Sequence, residues 1–273
     1  MKILVESGAT KSDWRVIGTG RRFLQPGMNV STMSLDSIAG ILQETFRSEG
    51  ISHLDGFYMY TAGVVTEEIR GKLIELIRKE VDVRDIDIQD DLVGAARAVC
   101  GRQSGIVAIL GTGSNTCFYD GKSVTRKVYS GGYVIGDDGS GATLGKLFLA
   151  DFIKGLIPEA VAKDFGEHFD ASYPAIVEGV YRSASPSGYL GSLAPFILSH
   201  YDEPHIRAMV DGSFQAFIDK SLLRYDVKTY PVGVVGGFGY ACREIFSRLC
   251  EASGIRISRF LPEPVTGLLE YHA

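Results

Sequence analysis

The sequence predicts a two-domain α/β protein with a ligand cleft between the domains, and three observations carry that expectation. First, a pattern of apolar strand, glycine turn and apolar strand occurs twice. It runs through Lys2 to Val5, Ser7-Gly8-Ala9-Thr10 and Trp14 to Ile17, and again through Ile106 to Leu110, Gly111-Thr112-Gly113-Ser114 and Thr116 to Tyr119. Gly111 follows Gly8 by 103 positions, so each half opens on the same hairpin, as a duplicated unit would. Second, 273 residues exceed the size at which one hydrophobic core keeps growing. Third, strands alternate with amphipathic helices through the first hundred residues.

The elements follow in order. After the first hairpin, Leu35, Ile38, Leu42 and Phe46 recur at helical spacing between a Ser34 cap and Gly50, which suits the end of a helix. Phe57 to Thr61 reads as a buried strand. A second helix follows Thr66, with Glu67 and Glu68 in its first turn and Ile69, Leu73, Leu76 and Ile77 on one face. Val81 to Ile88 alternates apolar and charged residues as a half-buried strand does, and delivers the chain to Asp90-Asp91 at a helix start. The domain boundary is expected near Gly101 to Gly105, giving domains over 1–104 and 105–261. The second domain is mainly helical from Ser140 to Arg224, with a strand at Pro231 to Val235, a glycine cluster and a helix from about Ala241 to Ala252.

Composition narrows the classes of function. A net charge of −5 with no Lys/Arg block argues against nucleic acid or an anionic membrane as main partner. No segment has the apolar length needed to cross a bilayer, and Met1-Lys2-Ile3-Leu4-Val5-Glu6 meets a carboxylate too early for a secretory leader, so a cytoplasmic location is expected. Cys100, Cys117, Cys242 and Cys250 lie far apart and the five histidines show no metal spacing, which leaves buried or idle side chains.

Three glycine clusters offer chemistry. Glu6-Ser7-Gly8-Ala9-Thr10-Lys11-Ser12-Asp13 presents unshielded backbone N–H groups, hydroxyls and one ammonium, the donors a triphosphate needs. It is not the helix-opening Gly-Lys-Ser/Thr pattern, and an ordinary hairpin is the plain alternative. Gly111-Thr112-Gly113-Ser114-Asn115 repeats the arrangement. Val234-Val235-Gly236-Gly237-Phe238-Gly239 sets a strand end against glycines at a helix start, where a base or ribose can approach the backbone, or where the chain merely turns tightly.

With these segments in order, the chain resembles the N-acetylglucosamine kinase and BadF/BadG-type ATPase family of the actin-like (sugar kinase, Hsp70, actin) superfamily. Glu6 to Asp13 looks like its first phosphate motif, Gly105 to Asn115 its second, and Val235 to Gly239 its adenosine motif. Gly136-Asp137-Asp138-Gly139-Ser140-Gly141 is similar to its sugar-site loop, and Pro264 to His272 to its closing helix, which would return to the first domain over about 262–273. The resemblance implies two ribonuclease-H-like domains and phosphorylation of an amino sugar's primary hydroxyl from ATP with Mg²⁺, N-acetylglucosamine first among the substrates. It implies Asp91 as general base, with Asp90 the competitor and a helix cap the plain role of either. Gly8, Ala9, Thr10, Lys11, Gly111, Thr112, Gly236 and Gly237 would bind nucleotide, Gly27, Asn29, Gly113, Asn115 and Asp137 the sugar, and Glu6 the metal. Thr61-Ala62-Gly63 is a further sugar-facing segment, and a homodimer is the implied assembly.

Two departures matter. Glu6 stands where the family usually carries Asp, and Asp138 where it carries Glu. Two other readings remain beside the kinase: an ATPase of the dehydratase-activator type, for which the cysteines lack the cluster motif, and a non-catalytic nucleotide-binding module.

Overall fold

The computed structural model describes residues 1–8, 11–30, 32–64 and 66–273. The chain forms two compact units, one of Met1–Arg102 with Pro264–Ala273, the other of Gln103–Glu263. The first unit opens with strands β1 (Lys2–Ser7), β2 (Lys11–Val16) and β3 (Arg22–Pro26), then helix α1 (Leu35–Ser48), β4 (His53–Thr61), α2 (Glu67–Glu80), β5 (Asp82–Gln89) and α3 (Asp91–Cys100). Its sheet has the order β3-β2-β1-β4-β5, in which β2 is antiparallel to its neighbours and β1, β4 and β5 are parallel.

Side-chain chemistry explains these elements. Ser34 and Thr66 accept the N–H groups of Ser37 and Ile69, capping α1 and α2. Alternate residues of β1 and β2 turn Ile3, Val5, Trp14 and Val16 into one core with Ile38, Leu42, Phe57, Leu73 and Ile77. Trp14 meets Phe23, Phe46 and Phe57 with ring centroids 5.5–5.8 Å apart, and its buried indole N–H donates to Ser12 Oγ at 3.0 Å.

The second unit contains β6 (Gly105–Leu110), β7 (Ser114–Tyr119), β8 (Val124–Val128), α4 (Gly132–Ile135), α5 (Gly141–Phe152), α6 (Glu159–His168), α7 (Tyr173–Tyr181), α8 (Pro186–Ser192), α9 (Ala194–Ser199) and α10 (Pro204–Lys220), followed by β9 (Val232–Val235), α11 (Gly237–Ala241), α12 (Arg243–Ala252) and β10 (Ile257–Leu261). Its sheet runs β8-β7-β6-β9-β10, with β7 antiparallel to its neighbours and β6, β9 and β10 parallel. This is the order and direction of the first sheet repeated, so the recurring hairpin marks a recurring five-stranded unit. No helix among the described residues is long and apolar enough to cross a membrane.

The glycine turns are narrower than the sequence predicts. Glu6 and Ser7 belong to β1 and Lys11 to Asp13 to β2, while Ser114 and Asn115 already lie in β7. Their polar side chains resemble loop residues, yet Ser12 is buried and donates to the Pro26 carbonyl at 2.9 Å. Asp13 is neutralised by Arg15 and Arg22 at 2.7 and 2.8 Å. The helix expected from Ala241 begins at Gly237, breaks at Cys242 and resumes at Arg243.

The last helix, α13 (Val265–His272), belongs to the first unit and lies on α3. A Cβ at Gly267 would fall 2.2 Å from the Ala98 carbonyl oxygen, so glycine permits the contact. His272 shares a hydrogen bond with the Tyr60 hydroxyl at 2.7 Å and stacks on Tyr58 at 3.9 Å. Burial, and then the positive charge of Arg97, push its pKa down to about 4. Between about pH 6.5 and 4 the unfolded chain binds this proton and the folded chain does not, so folding stability falls as pH falls through that window. Because the ring stays partly open to solvent, a loss of about 1–2 kcal/mol is expected across the window. Urea titrations at pH 7 and pH 4.5 would show it as excess destabilisation of the wild type over His272→Gln; equal losses would discard the assignment.

Candidate functional site

In the first unit β1, β4 and β5 run parallel, so their carboxyl ends lie along one edge of the sheet, where α/β folds commonly place ligands. Glu6 is the penultimate residue of β1, half-buried and in register with Asp13 across β2. Asp13 is committed to its two arginines, and Glu6 is the other carboxylate of this cross-strand pair. Gly8 is exposed, and its N–H donates to the Lys11 carbonyl at 3.0 Å to close the turn. Lys11 is exposed at the start of β2. Ala9 and Thr10, both expected to bind nucleotide, lie outside the described residues.

Gly27 and Asn29 are held to the same edge by contacts that sequence reading missed. The buried Ser7 hydroxyl accepts the Met28 N–H at 2.7 Å, and the buried Thr61 hydroxyl donates to the Met28 carbonyl. Val30 N–H donates to Ala62 O at 3.2 Å. Ser7 and Thr61 are register partners on β1 and β4, so two strand ends grip one residue between Gly27 and Asn29. Thr61 therefore serves as a clasp for the loop. The only trace of this in the sequence is a hydroxyl at each apolar strand end.

At the end of β5, Asp90 is the N-cap of α3, its Oδ1 accepting the Leu92 N–H at 3.1 Å. Asp91 is the first helical residue and is exposed. The two adjacent carboxylates thus have different positions: the capping role belongs to Asp90, which removes it as the plain explanation of Asp91.

In the second unit the carboxyl ends of β6 and β9 gather the remaining segments. Gly111 N–H donates to Gly113 O at 3.0 Å, and the carbonyls of Gly111 and Thr112 accept from Gly141 and Ala142 N–H at 2.9 and 3.0 Å, docking the start of α5 on the turn. Ser140 caps α5. Asp137 is buried, and its carboxylate lies against Gly113, where a Cβ would fall 2.8 Å from Oδ2. Asn115 is half-buried on β7, and its Oδ1 accepts the Thr116 N–H at 3.0 Å. Thr112 and Gly237 are exposed, while Gly236 approaches the Leu110 carbonyl closely.

Asp137 has a φ of 53°, the only positive value among the described non-glycine residues. Left-handed backbone costs an L-residue roughly 1–2 kcal/mol, less for Asp. It is held by Asp137 N–H to Ser130 O at 2.9 Å and by the Thr143 hydroxyl on the Asp137 carbonyl at 2.8 Å. Thr143, which holds this strained residue, is a contact that sequence reading missed; its spacing from Ser140 is the available signal. Asp138 instead turns to Lys220, at 2.8 Å. Strain kept at a buried carboxylate is characteristic of a ligand site. If Asp137 holds a sugar, Asp137→Gly should leave the thermal midpoint unchanged or higher while weakening turnover that depends on that sugar about 10- to 100-fold, the worth of a charged hydrogen bond. A lower midpoint with normal turnover would make Asp137 a structural residue.

The thiols of Cys100, Cys242 and Cys250 are pushed up by burial, to about 11, 12 and 12. They stay protonated at neutral pH, in keeping with idle side chains.

Neither a protein-family model nor a curated protein matches the chain. Among solved structures, a Porphyromonas gingivalis protein provisionally named an N-acetylglucosamine kinase is 33% identical, covering 100% of this chain and 98% of its own with a TM-score of 0.87. A Chromobacterium violaceum protein of the same provisional name is 19% identical over 100% and 99% of the two chains, with a TM-score of 0.73. MreB 5 of Spiroplasma citri bound to AMPPNP shares the fold, at 13% identity over 100% and 95%, with a TM-score of 0.55. Both halves of the chain carry the same sheet, the motif segments meet at the carboxyl ends of its parallel strands, and the Porphyromonas likeness is full-length. The chain is therefore a two-domain actin-like protein and belongs to the N-acetylglucosamine kinase and BadF/BadG-type ATPase family.

Proposed function

We propose that the protein is a sugar kinase that transfers the γ-phosphoryl group of ATP to the primary hydroxyl of an amino sugar, N-acetylglucosamine being the first candidate. The observation that carries this reading is the convergence of the motif segments on the parallel-strand carboxyl ends in each unit, in a chain of the N-acetylglucosamine kinase family. The two compact units serve as the two domains.

The residues present suit nucleotide and metal. A Cβ at Gly237 would meet nothing within 4 Å and one at Gly8 or Gly111 only a single atom at 3.7–4.0 Å, so these turns leave backbone open to phosphate or ribose. Glu6 retains a carboxylate for a hydrated Mg²⁺, an ion that uses few protein ligands and keeps several waters. Mg-ATP, when bound, supplies the phosphoryl group and neutralises its charge.

The chain's own residues do the rest. Gly8 and Gly111, whose own N–H groups close their turns, leave room for the phosphates to approach, and Ala9, Thr10, Lys11 and Thr112 orient them through N–H groups, hydroxyls and one ammonium. Gly27, Asn29, Gly113, Asn115 and Asp137 read the fixed hydroxyl directions of a pyranose. The Asp91 carboxylate accepts the proton of the attacking hydroxyl.

The test is coupled-assay ADP release with Mg-ATP against N-acetylglucosamine, glucosamine, glucose, N-acetylmannosamine and N-acetylmuramic acid. Release that depends on one hexosamine supports the proposal. Sugar-independent release, or none, transfers the chain to the ATPase or nucleotide-binding reading.

A further inference from the structure

We propose that Arg97 is a positioning residue for the Asp91 carboxylate, acting through the orientation of α3; this rests on Asp91 being the general base. The Arg97 guanidinium is 11% exposed and makes an ion pair with Asp87 of β5. It donates to the Tyr60 hydroxyl of β4 at 2.9 Å, and Tyr60 in turn shares a hydrogen bond with His272 Nε2 of α13 at 2.7 Å. The same guanidinium lies 5.0 Å from the centre of the Tyr271 ring. One side chain of α3 thus ties together the three elements around the helix.

Close packing alone already holds α3 down. A Cβ at Gly94 would fall 2.8 Å from the Tyr60 ring, and Gly267 sits against the Ala98 carbonyl. A buried ion pair adds little stability over an apolar side chain of the same size, and the Nε of Arg97 is buried with no acceptor among the described residues. What a planar guanidinium does provide is direction, because its fork donates to partners at fixed angles. Arg97 lies six residues after Asp91, roughly 9 Å along the axis. A helix tilt of about 6° about Arg97 displaces Asp91 by about 1 Å, and a displacement of that size can cost about 10²-fold in rate.

The Tyr60 hydroxyl shares its hydrogen bond with a neutral imidazole, because burial beside Arg97 keeps His272 uncharged at neutral pH. Tyr60 itself is pushed to higher pKa by burial and keeps its proton. Both hydrogen bonds therefore hold throughout the pH range in which an aspartate base works.

The experiment is a double-mutant cycle in the full chain, with kcat, both KM values and the thermal midpoint measured for Arg97→Lys, Tyr60→Phe and Asp91→Asn, and for each of the first two combined with Asp91→Asn. Arg97→Lys should lower kcat about 10- to 100-fold with both KM values within about twofold. Tyr60→Phe keeps the Arg97–Asp87 pair and should lower kcat about 3- to 10-fold; it carries the test alone if Arg97→Lys does not fold. In the Asp91→Asn background each should cost less than about twofold more, because a misplaced base that is already absent loses nothing. Unchanged kcat in both, or losses that multiply in full on Asp91→Asn, would overturn the positioning role while leaving the base in place. Near-normal turnover of Asp91→Asn itself would instead remove the base, and the positioning role with it.

Discussion

Asp91→Asn is expected to lower sugar-dependent turnover by about 10²–10⁴, the usual contribution of a positioned general base, while both KM values and the fold stay close to wild type. The fold should survive because the N-cap is Asp90, whose carboxylate bonds the Leu92 N–H, and because Asp91 is exposed at the first helical position. Losing a charge there removes a favourable dipole interaction of about 0.3–1 kcal/mol. Asp90→Asn is the matched control. Asn caps helices about as well as Asp, so this variant should keep its thermal midpoint and most of its turnover. Steady-state ADP release and thermal melts on both proteins separate the roles. Normal turnover in Asp91→Asn with collapse in Asp90→Asn would transfer the base to Asp90, and normal turnover in both would end the kinase mechanism drawn above.

Periodicity made the central strands and the first two helices legible, because those elements bury a face and must pattern apolar residues to do so. The edge strands β3 and β8 were not. β3 reads Arg-Phe-Leu-Gln-Pro and β8 reads Val-Thr-Arg-Lys-Val, with alternating or open exposure, and such edges carry charge and proline to discourage pairing with other chains. The turn boundaries were misjudged for a related reason. Ser12 and Asp13 look like loop residues until Pro26, Arg15 and Arg22 are brought beside them, and no linear pattern does that.

The candidate site divided the same way. The order of its motifs was legible, but the Ser7–Met28–Thr61 clasp and the Thr143 hydroxyl behind Asp137 depend on contacts 21, 33 and 6 residues apart along the chain. Asp90 and Asp91 were indistinguishable as letters and became distinct only when one was seen to cap a helix.

Gly236→Ala is expected to destabilise the second unit by about 3 kcal/mol or more, and Gly237→Ala not at all, although the two residues are neighbours with the same side chain. A Cβ at Gly236 would fall 2.3 Å from the Leu110 carbonyl oxygen, and its φ of 126° is one that L-residues rarely adopt. Leu110 cannot retreat, since it ends β6 and pairs with Ser114 of β7. At roughly 2–4 °C per kcal/mol, the midpoint should fall by about 6–12 °C. Gly237 opens α11 with nothing within 4 Å of its added Cβ, and alanine is the better helix former by up to about 1 kcal/mol. The melting temperature of Gly237→Ala should hold or rise. Its KM for ATP should nevertheless rise about tenfold or more if nucleotide approaches the bare backbone there, because the added methyl group occupies that space. An unchanged KM for ATP in Gly237→Ala would assign this glycine pair to the tight strand-to-helix turn and remove it from the nucleotide site.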